Sequence, residues 1–402
     1  MHENIGYENA RDIMLERICR VTAEHTPLSE AFERILAEDL NATEDVPPFD
    51  RSPFDGYAIR VADTESASRE NPVILRILEE VPAGSVPAIP LTRGTATKIL
   101  TGSPVPEGAD SVIKYEETEF TAEIVKIFGP VTRHDVVRRG EDIKKGESLA
   151  RKGDKIEPAM AGALASQGIS SPLVYRIPRV GIISSGNELA EVFEEISGGQ
   201  IRDTNRYMLE GEIRRAGAQA VHLGTAKDSP DEVAELIEKG LSDCDMIFLT
   251  GGASVGDYDA TPKAMELVGA KTVVRGVDMK PGGACVYGIK ESKAIFGLSG
   301  NPSAAMANFY SVGLPCLRKL TGLREYMCRE ITVTLAEDFR KKSHRTRLVR
   351  GRLDLTDGEV RICFPGQGNA ILHALTGCDV LAEIPAGSTG LKARTRLRAY
   401  LI

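Results

Sequence analysis

Apolar and polar positions along the chain fall into four textures, and each predicts a different kind of element. Ala10 to Cys19 carries Ile13, Met14, Arg17 and Ile18 at helical spacing, and Ser29 is placed to cap a second helix with Phe32, Ile35 and Leu36 on one face. From Pro47 to Gly140, Pro and Gly recur every several residues between short β-type runs: Val73 to Leu78, Thr97 to Leu100, Ser111 to Tyr115 and Ile124 to Phe128. That stretch reads as a small all-β domain. Pro158 to Gly168 returns to a short, alanine-rich helix.

From Arg179 apolar β runs alternate with amphipathic helices. Strands are predicted at Val180 to Ser184, Ala220 to Leu223 and Met246 to Leu249, with helices at Arg206 to Ala216 and Pro230 to Leu241. This alternation predicts a mostly parallel sheet covered by helices on both faces, because crossovers between parallel strands are right-handed. The last ~75 residues lose the alternation and show β runs at Ile331 to Leu335, Leu348 to Leu355, Val360 to Phe364 and Val380 to Ile384, which predicts a closing β-barrel or sandwich.

Composition narrows the function. At 402 residues several cores are expected, and 42% hydrophobic with 27% charged residues is ordinary for a soluble globular chain. A formal charge of -8 argues against neutralising nucleic-acid phosphates as the main task. Trp is absent and aromatics are only 5%, so base-stacking platforms are not expected either. The apolar runs are far shorter than the ~20 residues of a membrane span, and Met1 to Asn9 is polar, unlike a signal peptide, so a cytoplasmic protein is expected. Seven scattered cysteines contain no CxxC pair and indicate neither a zinc ribbon nor a disulfide framework.

Ligands of an open parallel sheet bind beyond the carboxyl ends of its strands, and here the loops at those ends are polar and glycine-rich. Ser185, Gly186, Asn187 and Glu188 follow one strand, Lys227 and Asp228 the next, and Thr250 to Asp259 a third, with Gly251, Gly252, Ser254 and Gly256 able to bring backbone amides close to a phosphate or pterin. The run is not GxGxxG, so a dinucleotide site is not supported. A second cluster joins Lys280 to Gly283 with Ser299, Gly300, Asn301 and Pro302 at the head of the last long helix, where free amides favour anions. A third lies in the β domain: Asp55 with Gly56, Thr101 with Gly102, and Asp142 after Arg138 and Arg139. Each cluster alone has a plainer reading, a tight turn or a solvated charge, and Asp55 before Gly56 could be only a turn.

Together the strings PPFDRSPFDGYAIR, LTGSPVPEGADSVI, RRGEDIKKGE, SSGNEL, GQIRDTNR, LTGGASVGDYD, MKPGG and GLSGNP resemble, over essentially the whole chain, the molybdopterin molybdenumtransferases of the MoeA and gephyrin E-domain type. The resemblance implies a multidomain α/β plus β fold. It has a discontinuous N-terminal helical and mixed domain (1–45 and 141–177), an inserted all-β domain (46–140), a central three-layer α/β/α domain that binds molybdopterin (178–325) and a C-terminal β-barrel (326–402). It also implies a homodimer whose site lies between the α/β domain of one subunit and the inserted domain of the other.

Carried over by motif, Asp55, Thr101, Asp142, Glu188, Asp228 and Asp259 occupy the family's polar active-site positions. Lys280 and Pro302 match as well, and Arg345 and Arg350 in SHRTRLVRG align with arginines of the last domain. The implied reaction inserts molybdate, or tungstate, into adenylylated molybdopterin with Mg²⁺ and releases AMP. Glu188, Asp228 and Asp259 are the expected metal ligands, and Gly251, Gly252, Ser254, Gly256, Ser299, Gly300 and Asn301 are expected substrate contacts. The molybdopterin adenylyltransferase is an expected partner, and nucleic acid and membrane are not. Alternatives are the adenylylation step itself, a tungstate-inserting paralogue, and a non-catalytic molybdopterin-binding scaffold. The chain departs from many members at Gly276, Gly283, Ala284 and Ser299, which leads us to expect a less positive anion pocket.

Overall fold

The computed structural model describes residues 1–252, 260–355, 360–364, 372–373 and 376–402. The chain divides into two compact units, one made of Met1–Glu38, Lys152–Glu157 and Ser171–Ile402, the other of Asp39–Arg151 and Pro158–Ser170. The expected first-domain segments 1–45 and 141–177 are shared between them.

The larger unit is built on a seven-stranded sheet. Across it the order is His2–Ile5, Lys271–Val277, Val286–Lys290, Lys293–Leu298, Met246–Thr250, Arg179–Ser185 and Gln219–Ala226. All neighbours pair in parallel except Val286–Lys290, which runs against both of its neighbours. The strands read as unbroken apolar runs because both faces are covered. Ile182, Met246, Phe248 and Phe296 join the core on one face, and Ile183, Ile247, Leu249 and Ile295 join the core on the other. Phe248 stacks on Phe296 with ring centroids 5.1 Å apart, and Phe309 closes edge-on over Phe248.

Helices Asn205–Arg215 and Pro230–Asp243 lie where the periodicity places them, and Ser229 caps the second by accepting from the Glu232 N–H. The last helical run, Pro302 to Leu320, is interrupted by a π-helical turn at Phe309–Gly313. A five-stranded barrel closes the unit. Thr346–Asp354 pairs with Arg361–Cys363 on one side and Val380–Ile384 on the other, and Glu330–Leu335 and Arg396–Leu401 complete the ring. Of the two sequence alternatives, the barrel is the one realised. Met279–Lys280 adds a short parallel strand to it, pairing Lys280 with Arg347.

Two N-terminal expectations are corrected. The first helix spans Tyr7–Leu15 and not Ala10 to Cys19, and the residues before it, His2–Ile5, form an edge strand of the large sheet. The second expected helix is only a 3₁₀ turn at Leu28–Glu30, and Phe32 is exposed. Glu33 has φ +64°, and the Glu33 and Leu36 N–H groups donate to Ile156 and Asp154, so pairing with a distant segment overrides local helical periodicity.

The smaller unit holds a six-stranded sheet in the order Ser111–Lys114, Gly56–Ile59, Thr95–Ile99, Val73–Val81, Ile124–Ile127 and Thr118–Phe120. Tyr57, Ile59, Leu75, Ala96 and Ile113 pack its core. Gly56 begins a central strand and is no turn glycine. A Cβ there would lie 1.9 Å from the Ile113 carbonyl oxygen, so only glycine allows that approach.

Candidate active site

Parallel pairing brings five loop starts to one edge of the large sheet. After Ser185 the chain passes Gly186 to Glu188, after Ala226 it passes Lys227 and Asp228, and after Thr250 it enters Gly251 and Gly252. Leu298 leads to Ser299–Asn301, and Val277 leads to Asp278–Lys280. At this edge backbone amides and polar side chains are freed together.

The carboxylate side of this edge is held by the Ser185 region. Ser185 Oγ donates to Asp228 Oδ1 at 3.3 Å, and the Asp228 N–H donates to Asn187 Oδ1 at 3.4 Å, tying two loops together. The Glu188 carboxylate folds back over Gly186, within 2.7 Å of where a Cβ would stand. Both acids are exposed, and neither forms an ion pair among the described residues. Asp259, Ser254 and Gly256 lie outside the described residues, and no three His, Cys, Asp or Glu side chains among those described gather tightly enough to hold a metal ion alone.

Gly251, at φ +95°, runs against Ser185, and Gly300 comes within 3.6 Å of the Gly251 Cα, measured from the place of a Cβ. The Gly300 carbonyl accepts from Asn205 Nδ2 at 2.8 Å. Asn301 caps the helix that begins at Pro302, its Oδ1 accepting from Ser303 and Ala304 N–H groups, while its own N–H donates to Ser299 Oγ. The Ser299–Asn301 turn therefore borders the Gly251 loop on one side and a second feature on the other.

That second feature is a cavity of about 810 Å³ lined by Lys280, Gly283, Ser299 and Asn301 from the sheet side and by Lys342, His344, Arg345 and Arg347 from the barrel. Basic side chains reach this cavity from both sides, Lys280 from the sheet and Lys342, Arg345 and Arg347 from the barrel. Gly276, at φ +76°, has Asn4 Oδ1 2.6 Å from the place of a Cβ, so a side chain there would strain the backbone and displace Asn4. At Gly283 the Arg345 Nη1 lies 3.3 Å from that place, so a barrel arginine closes over the bare glycine. Arg345 Nε pairs with Asp278 Oδ1 at 3.1 Å. Burial first, then Arg347 and Lys280, hold the Lys341 amine below its ordinary range.

Arg350 does not line this cavity; it is half-buried beside Cys378 and Tyr310. Sequence reading passed over Arg347, which a two-residue strand period sets with Arg345 and not with Arg350. It also passed over Asp203 and Asn205 of GQIRDTNR. Ser184 Oγ donates to Asp203 Oδ2, and Asp203 Oδ1 accepts from the Arg206 N–H at 3.1 Å, which fixes the turn carrying Asn205.

In the smaller unit, Asp55 and Thr101 do meet. Asp55 Oδ1 accepts from both the N–H and the Oγ1 of Thr101 at 2.7 Å, and these bonds, the backbone one first, hold the carboxyl below its ordinary range. Asp142 is exposed; its N–H donates to the Val46 carbonyl. Its loop neighbours are braced by Arg138 to Asp50 and Arg139 to Asp45.

Three family models cover the chain in succession: the MoeA N-terminal region (domains I and II) over residues 5–168, a probable molybdopterin-binding domain over 181–319, and the MoeA C-terminal region (domain IV) over 332–401. The molybdopterin molybdenumtransferase of Staphylococcus epidermidis is 34% identical over 389 residues, 94% of this chain and 92% of that one. The chain belongs to the molybdopterin molybdenumtransferase family. The Bacillus subtilis molybdopterin molybdenumtransferase is 33% identical, covering 97% and 93% of the two chains. The MoeA crystal structure from Pyrococcus horikoshii superposes with a TM-score of 0.84 at 32% identity, over 99% of this chain and 100% of that one. As a family member the protein is an enzyme, a transferase of molybdenum cofactor biosynthesis. No helix among the described residues is long and apolar enough to cross a membrane.

Proposed function

We propose that this molybdopterin molybdenumtransferase inserts molybdate into adenylylated molybdopterin in an Mg²⁺-dependent reaction that releases AMP. The observation that carries the reading is the Ser299–Asn301 turn. It adjoins the Gly251 loop of the carboxylate edge and also lines the basic cavity, so an oxyanion and a phosphate-bearing pterin would be held side by side. Lys280 and Arg345 supply the positive field that a chain of net charge -8 otherwise lacks.

Glu188 and Asp228 are hard oxygen donors with no basic partner among the described residues, a set that suits Mg²⁺ shared with substrate phosphate oxygens. When bound, the ion would neutralise the pyrophosphate and favour departure of AMP. Asp259 belongs to the same reading, as do Asp55, Thr101 and Asp142. The reading includes a homodimer that receives its substrate from the molybdopterin adenylyltransferase; light scattering that gave only the 43.5 kDa of one chain at micromolar concentration would remove the dimer.

The test is AMP release from adenylylated molybdopterin with Mg²⁺ and either molybdate or tungstate. Oxyanion-dependent AMP from the native protein, lost in Asp228→Ala, is expected, and the preferred anion names the metal. Silence with both anions, despite tight pterin binding, would point to the adenylylation step or to a scaffold.

A further inference from the structure

A different cavity of the larger unit, of about 360 Å³, shares no lining residue with the basic cavity described above. Arg34 and Lys155 line it from two extended pieces joined by the Ile35–Lys155 bridge, and Arg176 from the stretch that leads into strand Arg179–Ser185. Arg214 and Arg215 enter from the last turn of helix Asn205–Arg215, and Arg318 from the last turn of Leu314–Leu320. Six cations face one space, and among the described lining residues Glu33 alone is acidic. At 1.5 Å of rise per residue, Arg215 lies about 15 Å along its helix from Asn205, the residue that holds Gly300.

Helix polarity explains half of this charge. Cations in a last turn answer the free carbonyls there, which accounts for Arg214, Arg215 and Arg318. Arg34, Lys155 and Arg176 belong to no helix and need another reason. Ion pairing does not supply it from within. Arg34, Arg176, Arg214 and Arg215 pair with Glu24, Asp245, Glu210 and Glu212, and none of those four carboxylates lines the cavity. Arg318 has no carboxylate partner among the described residues; its Nη1 donates to Cys328 Sγ at 3.7 Å. Arg34 is the most telling. Its side chain is only 13% exposed, and its Nε is buried with no hydrogen-bond partner, although Nη2 donates to Glu24 and to the Tyr175 carbonyl. A buried guanidinium donor left without an acceptor is costly, and an anion in the cavity would give it one.

We infer that this cavity binds a polyphosphate anion, either inorganic pyrophosphate or the phosphate chain of a nucleotide. Guanidinium forks match phosphate oxygens two at a time, and six cations drawn from separate parts of the chain suit linked phosphates better than a single one. The volume lies in the range of small-ligand sites, and Ile35, Tyr175, Ile177, Pro178 and Leu323 add an apolar wall for the rest of a nucleotide. Such a ligand would tie the extended N-terminal pieces to two helix ends, so its binding should stabilise the larger unit.

The test is calorimetric titration of the full chain with pyrophosphate, ATP, orthophosphate and sulfate, without Mg²⁺, each paired with a thermal melt. The same titrations are run on a Lys280→Ala, Arg345→Ala double variant, which disables the cavity at the strand ends. Pyrophosphate or ATP should bind both proteins saturably and raise their melting temperatures, with orthophosphate and sulfate roughly tenfold weaker or more. Added to the double variant, Arg318→Met should weaken that binding roughly tenfold, the loss expected for charge-assisted hydrogen bonds, and Lys155→Gln should weaken it severalfold. ATP binding tighter than pyrophosphate would support a nucleotide as occupant, and equal affinities would support recognition of the phosphate chain alone.

Polyphosphate binding that disappears in the Lys280→Ala, Arg345→Ala protein would assign it to the strand-end cavity and overturn the inference. Native-like affinity in both Arg318→Met and Lys155→Gln would overturn it too. If the methionine variant fails to fold, Lys155→Gln decides, because that side chain is 40% exposed and its loss leaves the core intact. Sulfate bound as tightly as pyrophosphate would overturn the polyphosphate class. None of these outcomes touches the molybdate reading, which uses no residue of this cavity.

Discussion

Asp55 and Thr101 show how much a short motif can say about a single group. Nothing in the spacing of PPFDRSPFDGYAIR and LTGSPVPEGADSVI states that the two residues touch, yet both Thr101 donors converge on one carboxylate oxygen. The depressed pKa of Asp55 means that the folded state binds its proton less readily than the unfolded chain. Its contribution to stability is therefore complete above the ordinary value of 3.8 and is lost as pH falls through the lower, folded value. Thr101→Val removes the hydroxyl donor and keeps the N–H. The Asp55 titration midpoint, followed by carboxyl-carbon NMR, should rise toward 3.8 without reaching it. An unmoved midpoint would mean that the backbone bond alone sets the acidity. Asp55 would then be tuned by the turn, and the hydroxyl would be free for a ligand.

At the scale of elements, what was legible followed from periodicity that tertiary pairing did not oppose. The strands at Arg179–Ser185 and Met246–Thr250 are buried on both faces and the helix Pro230–Asp243 is buried on one, so their patterns survive in the fold. The edge strand His2–Ile5 was not legible because it is short, polar and exposed, and it exists only through pairing with Lys271–Val277. The same pairing explains a site feature that the chain alone left unexplained. Asn4, at φ +48°, sets its Oδ1 2.6 Å from where a side chain on Gly276 would begin, and Gly276 itself holds φ +76°. Gly276→Lys is thus expected to lower stability by ~1–3 kcal/mol, the cost of the left-handed backbone, without tightening molybdate binding. Urea unfolding and a calorimetric titration with molybdate check both halves. A stable variant with improved affinity would mean that the edge strand yields easily and that charge can be supplied from either wall.

For the larger unit as a whole, the question is what keeps the barrel's arginines registered against the sheet. Besides the short strand at Met279–Lys280, the N-terminal helix provides a second tie. Tyr7 Oη donates to Glu383 Oε2 at 2.8 Å and meets the Tyr400 hydroxyl at 2.9 Å, while Arg398 bridges Glu8 and Glu330 at 2.8 Å each. Tyr7 is 4% exposed, and burial, with these partners, pushes its pKa far up, so it stays a neutral donor across the accessible pH range. Removing only its hydroxyl leaves a largely buried carboxylate oxygen one donor short. Tyr7→Phe should therefore cost about 1–3 kcal/mol, read as a lower urea midpoint at unchanged slope. The shape of the transition carries further information. A single shifted transition means that helix, sheet and barrel unfold together, and the cavity is then as rigid as the core beneath it. A new, earlier transition would mean that the barrel has come loose while the sheet persists, and molybdate affinity should fall in parallel because Arg345 leaves with the barrel and Lys280 stays. An unshifted midpoint would show that the Met279–Lys280 strand and the apolar contacts hold the barrel without this network.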